Sequence, residues 1–316
     1  MFKKIKLLLL AGVLTIGAAG CSSINTNNIE DKTKVALVLS TGGVNDQSFN
    51  QSAWEQGALK AEEEYGVEVS YLESNSDVDY MQNIETAVED NDLIVGVGFQ
   101  LGDAIKEAAK AYPDKQFITI DSENSNLDNV RSITFDEEEA GYLTGLIAGK
   151  TTNTNVIGWI GGMDIPSCSN FYVGYEKGAK EVNPNIKVLK QFTNSFSDAA
   201  KGKVVAQQMI NKENADIIFM ATGGGNAGII EAIKEADNVK GIGVDMPMSY
   251  LAPNHIITSA LKNVGEGLRM TIEDYVNGDW TGGEVRYNYS NNGVGFEKTD
   301  LLSDEIIKYV EDKLNK

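Results

Sequence analysis

Short β-branched runs alternate with alanine-rich or amphipathic segments along almost the whole chain, and the alternation runs twice. The spacing predicts strands at Val35–Leu39, Val67–Leu72, Leu93–Val97, Phe117–Asp121 and Ser132–Phe135. After a polar break at Thr151-Thr152-Asn153-Thr154-Asn155, a second series follows at Val156–Ile160, Val188–Phe192, Ile217–Ala221, Ile242–Val244 and Ile256–Ala260. Helical spacing fills the intervals, for example over Ser52–Tyr65, Glu137–Lys150 and Tyr172–Val182. Strand, helix, strand repeated in this way gives parallel sheets with helices on both faces. At 316 residues the chain exceeds one ordinary domain, so the two series predict two doubly wound α/β lobes. The first covers 35–135, the second 136–260, and the remainder from about 261 to 316 is expected to return to the first. Its pieces are a helix over Val264–Asn277, the stretch YNYSNNGVGF from Tyr287 to Phe296, and a helix over Ser303–Leu314.

Residues 1–20, MFKKIKLLLLAGVLTIGAAG, combine three lysines, an apolar core and small residues, the build of a signal peptide too short for a comfortable membrane span. Cys21 follows directly, as in a bacterial lipobox, with Ala18 where leucine is commoner. Residues 21–34 then read as a polar tether leading from a lipidated Cys21 to the folded body. Loss of Lys3, Lys4 and Lys6 takes the formal charge from -19 to -22. A body this acidic is unsuited to nucleic acid, where lysine and arginine must neutralise phosphates. Only Cys21 and Cys168 are present, and only one histidine, His255, so neither a disulfide framework nor a histidine or cysteine zinc site is expected.

In open parallel sheets ligands sit beyond the carboxyl ends of the strands. The residues just past the predicted strands are Asp46, Phe49 and Asn50; Gly98 and Phe99; Asp121 and Ser122; Gly161 to Asp164; Gly223, Gly224 and Gly225; Asp245; and Lys262. A capping box, Ser48 with Gln51 or Ser52 with Glu55, explains the serines of TGGVNDQSFNQSAWEQG but leaves Phe49 unexplained. GVGFQLG has the spacing GxGxxxG after a third strand, and ATGGGNAG lacks the lysine and Ser/Thr of a phosphate loop, so turns or close backbone approaches fit both better than a nucleotide cofactor. His255 stands ahead of a strand, on the wrong end for the crevice, and no GxSxG accompanies it. FDEEEAG, Phe135 to Gly141, reads as a solvated first helical turn, where acidic residues suit the helix dipole.

What remains is a binder's inventory without an activated nucleophile, a metal cluster or a cofactor motif. Phe49 offers a flat face to a planar ring, and such stacking is worth roughly 1–3 kcal/mol. Asn50 donates and accepts at once while a carboxylate only accepts, which suits a heterocycle edge. Asp245 with Lys262 suits vicinal hydroxyls, or forms an ordinary salt bridge. A binder of sugars or other small polar solutes uses the same fold, and an extracellular hydrolase could use Asp46, Asp121, Asp164 and Asp245 if they met.

TGGVNDQSFNQSAWEQG resembles the GxxxDxSFNxxxxxG signature of the basic membrane protein lipoproteins, the group containing the purine nucleoside receptor of ABC importers. The likeness continues, in order, through Gly96-Val97-Gly98-Phe99, Phe117 to Asp121, FDEEEAGYLTGLIAG, IGWIGGMDIPSCSNFYVGYEKGAK, IIFMATGGGNAGIIEA, IGVDMP and ITSALKNVG. The resemblance implies the type I periplasmic-binding-protein fold, two lobes on a hinge of several segments. It implies Phe49 and Phe171 on either side of a purine, with Phe192 or Phe196 as substitutes for Phe171. Asp46, Asn50 and Asp121 would address the purine's polar edge, and Gly223, Gly224, Asp245 and Lys262 the ribose. It implies no enzyme and no cofactor, but a lipid-anchored, outward-facing protein that delivers guanosine, inosine or adenosine to an ABC permease and its ATPase.

Overall fold

A computed structural model of the chain describes residues 32–123 and 126–314. The signal peptide, Cys21 and nearly all of the tether lie outside the described residues. All ten predicted strands are present, within a few residues of their expected ends. They are β1 (Lys34–Leu39), β2 (Glu68–Glu73), β3 (Leu93–Val97), β4 (Gln116–Ile120), β5 (Val130–Phe135), β6 (Val156–Gly161), β7 (Lys187–Phe192), β8 (Ile217–Ala221), β9 (Lys240–Asp245) and β10 (Ile256–Lys262). Two further strands, β11 (Gly283–Tyr287) and β12 (Val294–Phe296), complete two six-stranded sheets. The first has the order β11-β5-β4-β3-β1-β2 and the second β12-β10-β9-β8-β6-β7, the same winding twice. Central strands such as β1, β3 and β8 are buried on both faces, which is why they read as unbroken apolar runs.

The return after residue 260 differs from expectation in part. The helix Val264–Val276 packs beside residues 52–58, and β11 pairs in parallel with β5, so both join the first lobe. In contrast β12 pairs antiparallel with β10 and the helix Asp304–Leu314 packs against the helix Glu137–Thr151, so both complete the second lobe. The physical reason is the open edge of β10, whose backbone groups need a partner and find one in Val294–Phe296. The chain therefore passes between sheets after Phe135, after Lys262 and after Tyr287. These crossings lie side by side, with Asp136 N donating to Tyr287 O at 2.8 Å and Asn263 N to Gly293 O at 2.8 Å.

One helix pair governs the second lobe's contribution to the cleft. The helix predicted from Tyr172 begins earlier, at Pro166, whose fixed φ and missing N–H suit a first helical position. It packs backbone to backbone on the helix Glu137–Thr151 through glycines four residues apart. A Cβ on Gly141 would stand 2.2 Å from Phe171 O, one on Gly145 2.2 Å from Tyr175 O, and one on Gly174 1.9 Å from Glu138 O. No residue larger than glycine fits at that spacing.

Candidate functional site

Loops from the carboxyl ends of both sheets converge on one cleft. Of the residues expected there, Asp46, Phe49, Asn50, Asp121, Phe171, Gly223, Asp245 and Lys262 line it; Gly224 does not. Phe196, one substitute for Phe171, also borders the cleft, whereas Phe192 packs edge-on against Trp159, 5.4 Å between centroids. Asp164 accepts a hydrogen bond from Ser169 and stays outside, so the four carboxylates considered for hydrolysis do not meet. His255 lies before β10, at its amino end.

The loop after β1 is shaped by Asp46. Its carboxylate accepts from the backbone N–H groups of Ser48, Asn50 and Gln51 at 2.9, 2.9 and 3.1 Å. Asp46 therefore caps the following helix, and neither predicted capping box forms. Burial pushes its pKa up, and the backbone donors pull the other way. Freed from capping, Ser48 donates to Asp245 Oδ2 in the other lobe. Asn50, 1 % exposed, is held by Ser40: Ser40 Oγ donates to Asn50 Oδ1 at 3.1 Å, and Asn50 Nδ2 donates to Ser40 O at 3.3 Å. One amide hydrogen of Asn50 is left over from those bonds.

Asp121 and Asp245 occupy equivalent places at the ends of β4 and β9, and both have left-handed backbones, φ 64° and 63°. Among residues with a side chain, aspartate and asparagine accept that conformation most readily, and both aspartates line the cleft there. Gly98 and Gly223, after β3 and β8, have φ of 122° and 55° and keep the cleft wall thin there.

Lys262, 1 % exposed, ends β10 and reaches Asp121 Oδ2 at 2.6 Å and Glu137 Oε1 at 3.0 Å. Burial works against its charge, but Asp121, Glu137 and Asp245 outweigh it and hold the ammonium's pKa above the ordinary value. The same ammonium lies 5.2 Å from the Phe49 ring centroid and 5.9 Å from that of Phe171. Phe135 lies at 5.3 Å as well, so three rings, Phe171 alone from the second lobe, surround one cation. Asp121 Oδ1 is buried without a hydrogen-bond partner.

Glu137 is the residue that sequence reasoning missed. The acidic turn does not face solvent throughout: Glu138 and Glu139 do so at least partly, but Glu137 is 4 % exposed and turned onto Lys262. Burial raises its pKa, with Lys262 opposing and Asp121 adding to the rise. Because Glu137 follows one crossing segment and Lys262 ends on another, their ion pair ties the hinge to the cleft. Ser48, Gln100 and Cys168 were not singled out either. Gln100 lines the cleft and its side-chain amide points to Met163 Sδ at 3.9 Å across the lobes. Cys168 is a buried cleft-lining thiol, its pKa pushed up to about 12 by desolvation.

Residues 32–316 match the family of ABC transporter substrate-binding proteins described as PnrA-like. The chain is 37% identical to the ABC transporter nucleoside-binding protein BmpA of Lactococcus lactis, over 94% of this chain and 90% of that protein. It is 34% identical to basic membrane protein A of Borreliella burgdorferi, over 100% and 93% respectively. Among solved structures it is similar to an ABC transporter solute-binding protein from Aeropyrum pernix, at a TM-score of 0.80 and 30% identity, covering 90% of this chain and 80% of that one. The two-lobe architecture is the type I periplasmic-binding fold.

Proposed function

The chain belongs to the PnrA-like family of ABC transporter substrate-binding proteins, and on that premise we propose that its cleft captures a purine nucleoside for a membrane permease. The observation that carries this reading is the placement of Phe49 and Phe171, from opposite lobes, around the Lys262 ammonium and beside the unpartnered Asp121 Oδ1. A planar heterocycle fits between two such rings, and its N–H edge satisfies an acceptor that otherwise stays unpaired. Asn50 supplies the remaining amide hydrogen. Asp245 accepts from a ribose hydroxyl, and the third N–H of Lys262, beyond those on Asp121 and Glu137, donates to one. In this reading Asp46 works through the loop it caps, and Gly223 lets the backbone approach the sugar.

Capture is a closure reaction. Phe49 and Asn50 belong to one lobe and Asp245 to the other, so a ligand touching all three binds the closed form better than the open one. Its differential affinity shifts the population toward closure, and the crossing segments absorb the hinge motion. Lipidation of Cys21 would hold the protein on the outer face of the cell membrane, next to its permease and ATPase. We assign it no catalytic step.

Calorimetric titration of the lipid-free protein with adenosine, guanosine, inosine, uridine and ribose tests the reading. Saturable heat with at least one purine nucleoside, and none with free ribose, is expected. Silence with every purine nucleoside would end it. Retention of the full-length protein in membranes, and its release by Cys21→Ala, tests the anchor.

A further inference from the structure

The cleft does not end at Asp121. Beyond it lies a second space, walled by Thr134 and Phe135 of β5, Glu284 and Arg286 of β11, and the first turns of the helix Pro166–Val182. Phe99, Gln100, Asp121 and Ser167 border both spaces, so the two adjoin along that wall. Asp245, Gly223 and Lys262 border the first space only. Between them the Asp121 side chain is 6% exposed, with one oxygen on Lys262 and the other unpartnered.

This geometry fixes which part of a ligand meets the second space. A ring between Phe49 and Phe171 lies against Lys262, and Asp121 is 2.6 Å from that ammonium, so the ring's edge faces Asp121. The sugar, assigned to Asp245 and Gly223, points elsewhere. A group on the exocyclic nitrogen of such a base is directed at Asp121 and the second space behind it. Five carboxylates line that space against two cations, Lys106 and Arg286. Lys106 lies 3.6 Å from Asp103, itself one of the five, Arg286 lies 3.6 Å from Asp136, and Lys262 pairs with Asp121 and Glu137, so the set keeps a net negative charge with Glu123 and Glu284 as its surplus. An extension ending in an ammonium is therefore attracted there, and one ending in a carboxylate repelled.

We propose that the second space is a subsite for base substituents, and that the protein accepts purine nucleosides whose exocyclic amine carries an uncharged or amino-terminated extension. The proposal rests on the nucleoside reading, and its test separates the two. Affinities are measured for adenosine and guanosine, and for each with an aminohexyl or a carboxypentyl group on the exocyclic amine. For whichever parent binds, the amino-terminated derivative should stay within about threefold of it and the carboxylate should bind about tenfold or more weakly. In Glu284→Lys, on a residue that touches only the second space, the parent should bind unchanged while the amino-over-carboxylate preference falls to about threefold or less. If the parents bind but both derivatives lose about a hundredfold, or bind alike to the native protein, the subsite is wrong while nucleoside capture stands. If neither parent binds, the nucleoside reading fails and takes the subsite with it.

Discussion

Ser48, in the first lobe, donates its hydroxyl to the carboxylate of Asp245, 197 residues away in the second. The bond exists only while the lobes are together. Burial pushes Asp245 up to about 7; Lys262 and Ser48 pull it down, and Asp46 and Asp121 add to the rise. The closed protein consequently keeps a proton on Asp245 at a pH where the unfolded chain has already released it. Because the folded pKa lies above the ordinary carboxylate value, this group's contribution to stability falls as pH rises between about 4 and 7, and its penalty is complete above that window. Asp245→Asn keeps an acceptor for Ser48 and abolishes the titration. Its melting temperature relative to the native protein should therefore climb from about pH 5 to about pH 8, and a difference that does not change with pH would refute the assignment.

Lys262 is expected to be indispensable for the fold as well as for the ligand. It sits between two carboxylates that are each more than nine-tenths buried, and its removal leaves their charges without a counter-ion. Breaking one side of such a buried pair typically costs about 3–5 kcal/mol. Lys262→Met should lose stability of that order in denaturant titration at neutral pH. Adding Asp121→Asn and Glu137→Gln should recover much of it, since the neutral set no longer buries an unpaired charge. A triple variant no more stable than Lys262→Met would show that packing, rather than charge, sets the loss.

The fold was largely legible because a parallel sheet covered on both faces demands continuous apolar strands, and β1, β3, β6 and β8 supply them. β11 escaped because GEVRY is a half-exposed edge strand carrying Glu284 and Arg286, and β12 because three residues hold no periodicity. The cleft was legible where unusual residues stand at or past strand ends: Phe49, Asp121, Asp245 and Lys262. Glu137 was not. Three consecutive glutamates in a first helical turn are all explained by the helix dipole, and nothing local says which of them turns onto a lysine 125 residues later. Ser48 was hidden in the same way, by a capping role that Asp46 fills instead.

The glycine contact between the helices Glu137–Thr151 and Pro166–Val182 gives a prediction whose sign is diagnostic. In an isolated helix, alanine for glycine is favourable by about 1 kcal/mol. At Gly174 the added Cβ would stand 1.9 Å from Glu138 O and 2.6 Å from Tyr142 N, so the helices must part. Gly174→Ala should destabilise by about 1–3 kcal/mol, by thermal or denaturant unfolding. Glu137 and Phe171 ride on these two helices, so on the proposed reading affinity for a purine nucleoside should weaken as well. A stabilised variant with unchanged affinity would mean that the contact is looser than described.

Phe49 and Phe171 flank the same ammonium but are held differently, and that difference separates binding from folding. Phe49 is half-buried, whereas Phe171 is 3% exposed and packs on Phe219 with centroids 5.9 Å apart. Phe49→Ala should cost about 1–3 kcal/mol in nucleoside affinity, roughly ten- to a hundredfold in Kd, with little change in melting. Phe171→Ala removes a core side chain as well as a stacking face, so it should lower affinity and cost about 3–5 kcal/mol of stability. Calorimetry and thermal melts on the two variants suffice. If Phe49→Ala collapses the melt and leaves affinity intact, the ring serves the core, and the stacking role assigned to the pair has to be abandoned.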